Sequence, residues 1–523
     1  AASDVYKRQR YTLQSTTDPQ YRTPVTAIAV HRKSYPVDVA QVGQRANHWP
    51  LAHTFYLEWP QPLAAGQSYE LALNAGQAVL ASIAMEYDPR QQLSEAVHVS
   101  HIGFRPDDPS KVGFLSTWMG TGGALVYPTG LDFTVVDINS NQPVFQGTAT
   151  LRHEAGTIED RRDRTHTLTN VYALDFSSFK PPGTYRLCVE TIGCSHAFEI
   201  GEQVWRSPFY TAVRGFYHQR SGIALEPPYT DILRPRPFHP DDGVQVDQST
   251  TPLMDTGNGL NAQGTDPNNF QNLVRGKTDE VLPDAWGGYF DAGDWDRRIQ
   301  HLEASRLLLD LLAMFPDQYA DFSLNIPESG NELPDLLDEA LWNVDFYRRL
   351  QTADGGIRGG IESADHPKRG ETSWQESLTV MAYAPGVWSS YIYAGVAART
   401  AGVLQQFNQS ELAEIYQQTA LAAMNYEPIQ AAGIQAEGEA IAVIDSDRAL
   451  AALDLYRLTG DVTWHEIFQT ALIDVRGNPD ANYKTFNVME TIAAIYSQLS
   501  PDQAEAELQA ELREQVIQQA DQV

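Results

Sequence analysis

The stretch "LPDLLDEALWNVDFYRRL", Leu333–Leu350, is where the fold of this chain is most plainly written. Leu336, Ala340, Val344 and Tyr347 recur at spacings of three and four, so they share one helical face, and Leu337, Leu341 and Trp342 widen it. Pro334 stands where a first helical turn tolerates a residue without an N–H. The same period runs through "HLEASRLLLDLLAMF" (301–315), "VWSSYIYAGVAARTAGVL" (387–404), "SELAEIYQQTALAAMNY" (410–426), "SDRALAALDLYRLTG" (446–460), "VTWHEIFQTALIDV" (462–475) and "NVMETIAAIYSQL" (487–499). Residues 501–523 are also helix-like. Many antiparallel helices joined by long loops rich in Gly, Asp, Pro and Trp point to a ring of helix pairs or a bundle, with functional groups on the loops at one end.

Residues before about 200 have a different period. "HTFYLEW", "SYELALN", "KVGFLST", "LDFTVVDI", "NVYALDF" and "TYRLCVE" are short, rich in β-branched and aromatic residues, and separated by "DPSK", "NSNQP" and "KPPG". This spacing suits β-sandwiches. The expected division is a fragment edge or artefact at 1–9, a β-rich module at 10–92, a sandwich at 93–203 and a helical domain at 204–523. A chain of 523 residues is too long for one core. The two cysteines, Cys188 and Cys194, flank a turn. They form a disulfide if the hairpin register sets them opposite each other, and remain buried thiols if it slips by one.

The net charge of −30 excludes the basic stripe that nucleic acid requires and disfavours an anionic membrane surface. It is compatible with a neutral or cationic substrate. No run of about eighteen apolar residues occurs, and "AASDVYKRQR" has no apolar core of the kind a secretory signal needs.

"WGGYFDAGDWDRR", Trp286–Arg298, carries the chemistry. Gly287, Gly288 and Gly293 let the backbone turn sharply, so that Asp291 and Asp294 can converge on one point. Two such carboxylates can hold a water, one of them as general base, with an acid across the scissile bond. Trp286, Tyr289, Phe290 and Trp295 supply aromatic walls of the kind that pyranose C–H faces pack on. Two other readings stand beside this one: capping of a helix that starts near Trp295, and calcium ligation.

Several motifs in order resemble glycoside hydrolase family 9. They are "GGYFDAGDWDRR", "IPESGNELPDLLDEALWNVDFYRRLQTADGGIRGGI" and "FYTAVRGFYHQRSGIAL". "HVSHIGFRPDDPSKVGFLST" and "GTYRLCVETIGCSHAFEIG" resemble the two ends of the family's immunoglobulin-like domain. The resemblance runs from about residue 95 to the end. It implies an immunoglobulin-like sandwich followed by an (α/α)6 barrel, hydrolysis of β-1,4-glucans by inversion, Asp294 as base, and Asp291 helping to hold the water. The family's general acid, a glutamate in an N-E motif near the end of the barrel, has no match here, nor has the histidine–arginine block before it. The ending therefore reads as C-terminal truncation, and this chain is expected to be inactive or weakly active. Expected sugar contacts are Trp286, Tyr289, Trp295, Asp296, Trp374 and Trp388. Trp295, Asp296, Arg297 and Arg298 replace the usual endoglucanase continuation. They raise the alternative of an exo-β-glucosaminidase or β-glucosidase with a closed cleft, where Asp296 meets a sugar ammonium. A second alternative is a fragment that binds glycan without cleaving it. Where some relatives hold zinc with cysteines, this chain has Ser221 and Phe238, leaving His239 alone. Where many hold calcium at an Asp–Glu pair, it has Asp447–Arg448. No metal or other cofactor is expected to be required. The expected partner is a β-glucan or oligosaccharide, for a monomer that is secreted or periplasmic and binds neither nucleic acid nor membrane.

Overall fold

The computed structural model describes residues 7–43, 46–73, 82–160, 162–257, 259–260, 270–291, 295–296, 298–426, 439–478 and 483–521. The chain divides into two compact units, 1–209 and 210–523.

The first unit is β structure, and all six stretches read as strands are strands. At its start, Tyr11–Gln14 lies between Val25–Thr26 and Gln67–Leu73, and Gln67–Leu73 pairs in turn with Ser82–Tyr87. Leu13, Tyr21 and Tyr69 form a small core, and the Tyr69 hydroxyl donates to the buried Asp18 at 2.6 Å. Ala29–Pro36 and Leu51–Glu58 form a separate two-stranded ribbon.

The sandwich follows. One sheet runs Thr150–His153, Val171–Asp175, Val112–Leu115, Val97–His98. The other runs Pro143–Thr148, Asp132–Asp137, Gly183–Val189, Gly193–Cys194, with Phe198–Ile200 also on Gly183–Val189. Alternate residues of both sheets face inward, and Leu115, Phe133, Val135, Leu174, Phe176, Leu187 and Phe198 make a single core. Cys188 sits directly opposite Cys194, and the two are disulfide-bonded, which resolves the register question.

Helix α1 (Arg206–Gln219) carries the chain into the second unit. It is followed by α2 (Gln271–Arg275), α3 (Leu302–Met314), α4 (Pro316–Tyr319), α5 (Asp335–Arg349), α6 (Val387–Gln406), α7 (Ser410–Met424), α8 (Glu439–Thr459), α9 (Val462–Gly477), α10 (Tyr483–Tyr496) and α11 (Ala506–Ala520). The pairs α3–α5, α6–α7, α8–α9 and α10–α11 pack as hairpins, while α3, α6, α8 and α10 pack side by side. This is the alternation of an (α/α)-type barrel. Helix α6 is buried on nearly every face, as a helix inside such a ring must be.

Helix α5 follows its sequence closely. Pro334 precedes it with extended backbone, Asp335 and Asp338 sit in the first turn, and Arg348 and Arg349 sit in the last, each matching the helix dipole. Leu336, Leu337, Ala340, Val344, Phe346 and Tyr347 are fully buried. Each of the larger ones contributes roughly 1.5–3 kcal/mol on burial. One feature of this unit is absent from the sequence reading: a five-stranded sheet among the loops. Its central pair, Val246–Pro252 and Val380–Gly386, is parallel; Lys277–Val281 flanks the first strand, and Ile357–Arg358 and Ile361–Ser363 pair with the second. Among the described residues no helix is long and apolar enough to cross a membrane.

Candidate active site

The start of the acidic loop is tied to the end of α1. The Phe290 N–H donates to the Gln219 carbonyl at the end of α1 at 2.8 Å, and Ser221 N–H donates to Gly288 O at 2.9 Å. Gly287 and Gly288 adopt φ of +107° and +71°, a region that favours glycine. A Cβ on Gly288 would stand 2.7 Å from the Asp296 side chain, so this turn also needs the space that glycine leaves.

Beneath the loop lies a buried polar frame. Arg220, fully buried, donates from Nε and Nη2 to the two oxygens of Glu339 at 3.2 and 3.1 Å, and from Nη1 to Glu328 at 2.8 Å. Burial alone would lower the Arg220 pKa; the charges of Glu339 and Glu328 outweigh it, and the net shift is upward. The Tyr289 hydroxyl donates to Glu339 Oε1 and lies equally close to the Glu339 carbonyl, both at 2.9 Å.

Asp296 is the second anchor. Its Oδ2 accepts the Tyr289 N–H at 2.9 Å, and its Oδ1 accepts the Tyr347 hydroxyl at 2.7 Å and His301 Nδ1 at 2.9 Å. His301 Nε2 then lies 3.8 Å from Asp291 Oδ2, and Arg298 Nε lies 3.7 Å from the same oxygen. His301 thus bridges a buried carboxylate and a half-buried one. Burial opposes its protonation, but the hydrogen bond and charge of Asp296, then the charge of Asp291, outweigh burial and raise its pKa. Neither His301 nor the frame of Arg220, Glu339 and Tyr347 was found from sequence. The available signal for His301 was a histidine five residues after an acid, at the mouth of a helix.

The expected site residues divide. Asp291 is half-buried on the loop, with the Arg298 guanidinium and the His301 imidazole both near Oδ2. Asp294 and Arg297 lie outside the described residues. Trp374 is 41% exposed, and Trp286 is half-buried against His239, with the Arg349 guanidinium 4.3 Å from its ring. Tyr289, Trp295 and Asp296, expected to touch sugar, face inward at 4%, 2% and 1% exposure. Each has an interior partner: Glu339 for Tyr289, the Phe238 ring at 3.7 Å for Trp295, and three donors for Asp296. They hold the loop from below. Trp388 is also buried, at 3%; it lines a cavity of about 390 Å³ and donates its indole N–H to Asp447 at 2.9 Å.

The family model described as "Glycosyl hydrolase family 9" matches residues 205–523, and that of the "Cellulase N-terminal ig-like domain" matches residues 92–193. The chain belongs to glycoside hydrolase family 9.

Among its relatives is a xyloglucan-specific endo-beta-1,4-glucanase of Bacteroides ovatus, 26% identical over 358 residues, covering 64% of this chain and 54% of that protein. Endoglucanase D of Acetivibrio thermocellus is 24% identical over 419 residues, 76% of this chain and 57% of that protein. The chain therefore spans just over half the length of these relatives. Two solved structures share its fold. A metagenome-derived family 9 endoglucanase has a TM-score of 0.59 at 23% identity, over 81% of this chain and 71% of that one. A Bacteroides ovatus family 9 protein has a TM-score of 0.60 at 20% identity, over 82% and 73%.

The residues at the family's metal positions do not fit metals. Phe238 is spent on Trp295, the buried Ser221 hydroxyl has no hydrogen-bond partner, and His239 Nδ1 accepts the Asp241 N–H at 3.2 Å. One imidazole and one hydroxyl do not make a zinc set. At the calcium position Asp447 accepts an indole N–H, and burial raises its pKa to about 7, with that hydrogen bond pulling the other way. A carboxyl held toward its neutral form next to Arg448 is a poor ligand for calcium. Among the described residues, no three His, Cys, Asp or Glu side chains converge as a metal site requires.

Proposed function

We propose that this chain is the glycan-binding and water-activating part of an inverting hydrolase of β-1,4-glucans. The observation that carries the reading is the family match over 205–523, which takes in the whole acidic loop. Asp294 is the base that removes a proton from water, and Asp291 shares the hold on that water. His301, bridging Asp296 to Asp291, fixes the second carboxylate in place. Trp286 and Trp374 are the sugar contacts. The buried positions of Trp295 and Asp296 take away the motive for a closed, ammonium-binding cleft. The reading therefore favours cleavage within a neutral glucan over exo action on an amino sugar. The protein works as a monomer, outside the cytoplasm, because a polymeric glucan does not enter a cell.

The test is a titration of tryptophan fluorescence with cello- and chito-oligosaccharides. Saturable quenching by cellotetraose, lost in Trp286→Ala and weaker for chitotetraose, is the expected result. Equal response to both sugars, or none to either, contradicts the proposal.

A further inference from the structure

On the first unit, a cavity of about 590 Å³ is lined by Lys33, Glu95, His98, Val99, His101 and His196, among others. Glu95 is already engaged: its Oε1 accepts from Lys33 Nζ at 3.1 Å and from the Tyr56 hydroxyl. His98 Nε2 donates to the Ser116 carbonyl at 3.2 Å. His101 and His196 differ. Both are exposed, and neither imidazole has a hydrogen bond or an ion pair among the described residues. Their rings lie against each other instead, with centroids 5.1 Å apart and planes tilted by 60°. The backbone fixes the pair. Three residues after His101, the Phe104 N–H donates to Glu199 O at 2.9 Å, and the Gly201 N–H returns a bond to Phe104 O at 2.9 Å. Gly103 has φ of +94° and lies so close to that segment that a Cβ would stand 2.2 Å from Glu199 O. On the other side, the buried Ser195 donates its N–H to Leu187 O at 2.7 Å and its hydroxyl to the His196 carbonyl at 2.7 Å.

The spacing of the rings can be compared with that of two imidazoles on one ion. A zinc–nitrogen bond of about 2.0–2.1 Å, with the ring centre about 1.1 Å further on, puts the centroid about 3.2 Å from the metal. Two such rings at the tetrahedral angle have centroids about 5.2 Å apart, and at the right angle of octahedral or square-planar ions about 4.5 Å. The observed 5.1 Å fits the tetrahedral case. Rotation about χ2 leaves each centroid nearly in place, and neither ring has a hydrogen bond to break, so each can turn a nitrogen to the shared point. We propose that His101 and His196 form a two-imidazole site for a tetrahedral divalent transition metal of the zinc class. Among the described residues no third His, Cys, Asp or Glu joins them, so water fills the other positions from the cavity. The site is open, and weaker than a closed zinc centre of four protein ligands. Its nitrogen ligands select against magnesium and calcium. The site is independent of the glycan reading.

Isothermal titration of the whole chain with zinc chloride at pH 7.5, in a buffer that does not bind metals, tests this. Zinc should bind saturably, and magnesium should not. His101→Gln and His196→Gln should each weaken the tightest zinc binding by at least about tenfold. His98→Gln changes a histidine of the same cavity outside the pair and should alter it by less than about twofold. All three side chains are exposed, so the variants keep the fold. Cobalt(II) reads the geometry: the strong visible absorption of a tetrahedral ion should appear in wild type and vanish in His101→Gln. No saturable zinc binding, zinc binding unchanged in both pair variants, an equal loss in His98→Gln, or the weak spectrum of octahedral cobalt overturns the proposal.

Discussion

Replacing Asp296 with Asn tests whether His301 is held as a cation by the buried acid. Asp296 Oδ1 lies 2.9 Å from His301 Nδ1, whereas Asp291 is 3.8 Å from Nε2. Asp296 supplies the strongest of the influences that raise the His301 pKa, while burial and Arg298 lower it. An opposite charge at this range shifts a pKa by roughly 1–3 units. Asp296→Asn should therefore lower the His301 pKa relative to wild type by at least about one unit, which is about 1.4 kcal/mol of lost interaction. The assay is a ¹³C-histidine NMR titration, with His301→Gln assigning the signal. Tyr347→Phe removes a neighbouring donor and keeps the charge, so there the pKa stays raised. The sign for stability follows. A histidine raised in the folded state stabilises fully below its unfolded pKa near 6.5, and that contribution is lost as pH rises through the higher folded value. Wild type should lose more stability across that window than Asp296→Asn does. A His301 signal that titrates identically in wild type and Asp296→Asn refutes the bridge.

Other perturbations follow from the same physics. The Asp447 pKa, raised mainly by burial from 3.8 to about 7, means that the native state keeps a proton which the unfolded chain releases. Its contribution is full below pH 3.8 and is lost as pH climbs through about 7. Asp447→Asn should flatten that slope and add roughly 1–3 kcal/mol above pH 7, discounted from about 4 because the residue is only half-buried; denaturant melts at pH 5 and pH 8 read the difference, and an unchanged slope contradicts it. The Cys188–Cys194 bond closes a short hairpin, so Cys188→Ser with Cys194→Ser should cost the first unit about 2 kcal/mol, seen as an earlier transition in a scanning melt. No shift in that transition counts against a stabilising role.

Much of the architecture was legible because periodicity is local. The face of Leu336, Ala340, Val344 and Tyr347 is buried as its spacing requires, and the alternation of "TYRLCVE" puts Tyr185 and Leu187 into the sandwich core. The sheet joining Val246–Pro252 to Val380–Gly386 was not legible, since its two central strands lie more than a hundred residues apart and neither alternates cleanly. The site divides in the same way. A glycine-rich acidic loop can be seen in sequence, but the direction of its side chains cannot. Tyr289, Trp295 and Asp296 read as walls of a cleft. They turn inward because Gly287 and Gly288 reverse the chain over Phe346, and because Glu339, Phe238 and Tyr347 wait below. Arg220 and Glu339 were invisible for a plainer reason: 119 residues separate the two partners.

The central claim, that Asp294 drives water onto the anomeric carbon, is tested most directly with β-cellobiosyl fluoride. Its C–F bond breaks to release fluoride without help from an acid, while the new C–O bond forms from water and the base takes the proton. The chain should release fluoride with α-cellobiose as the first-formed anomer in the NMR spectrum, and Asp294→Asn should slow this by at least about a hundredfold. β-Cellobiose appearing first, or an Asp294→Asn variant as fast as wild type, would contradict it.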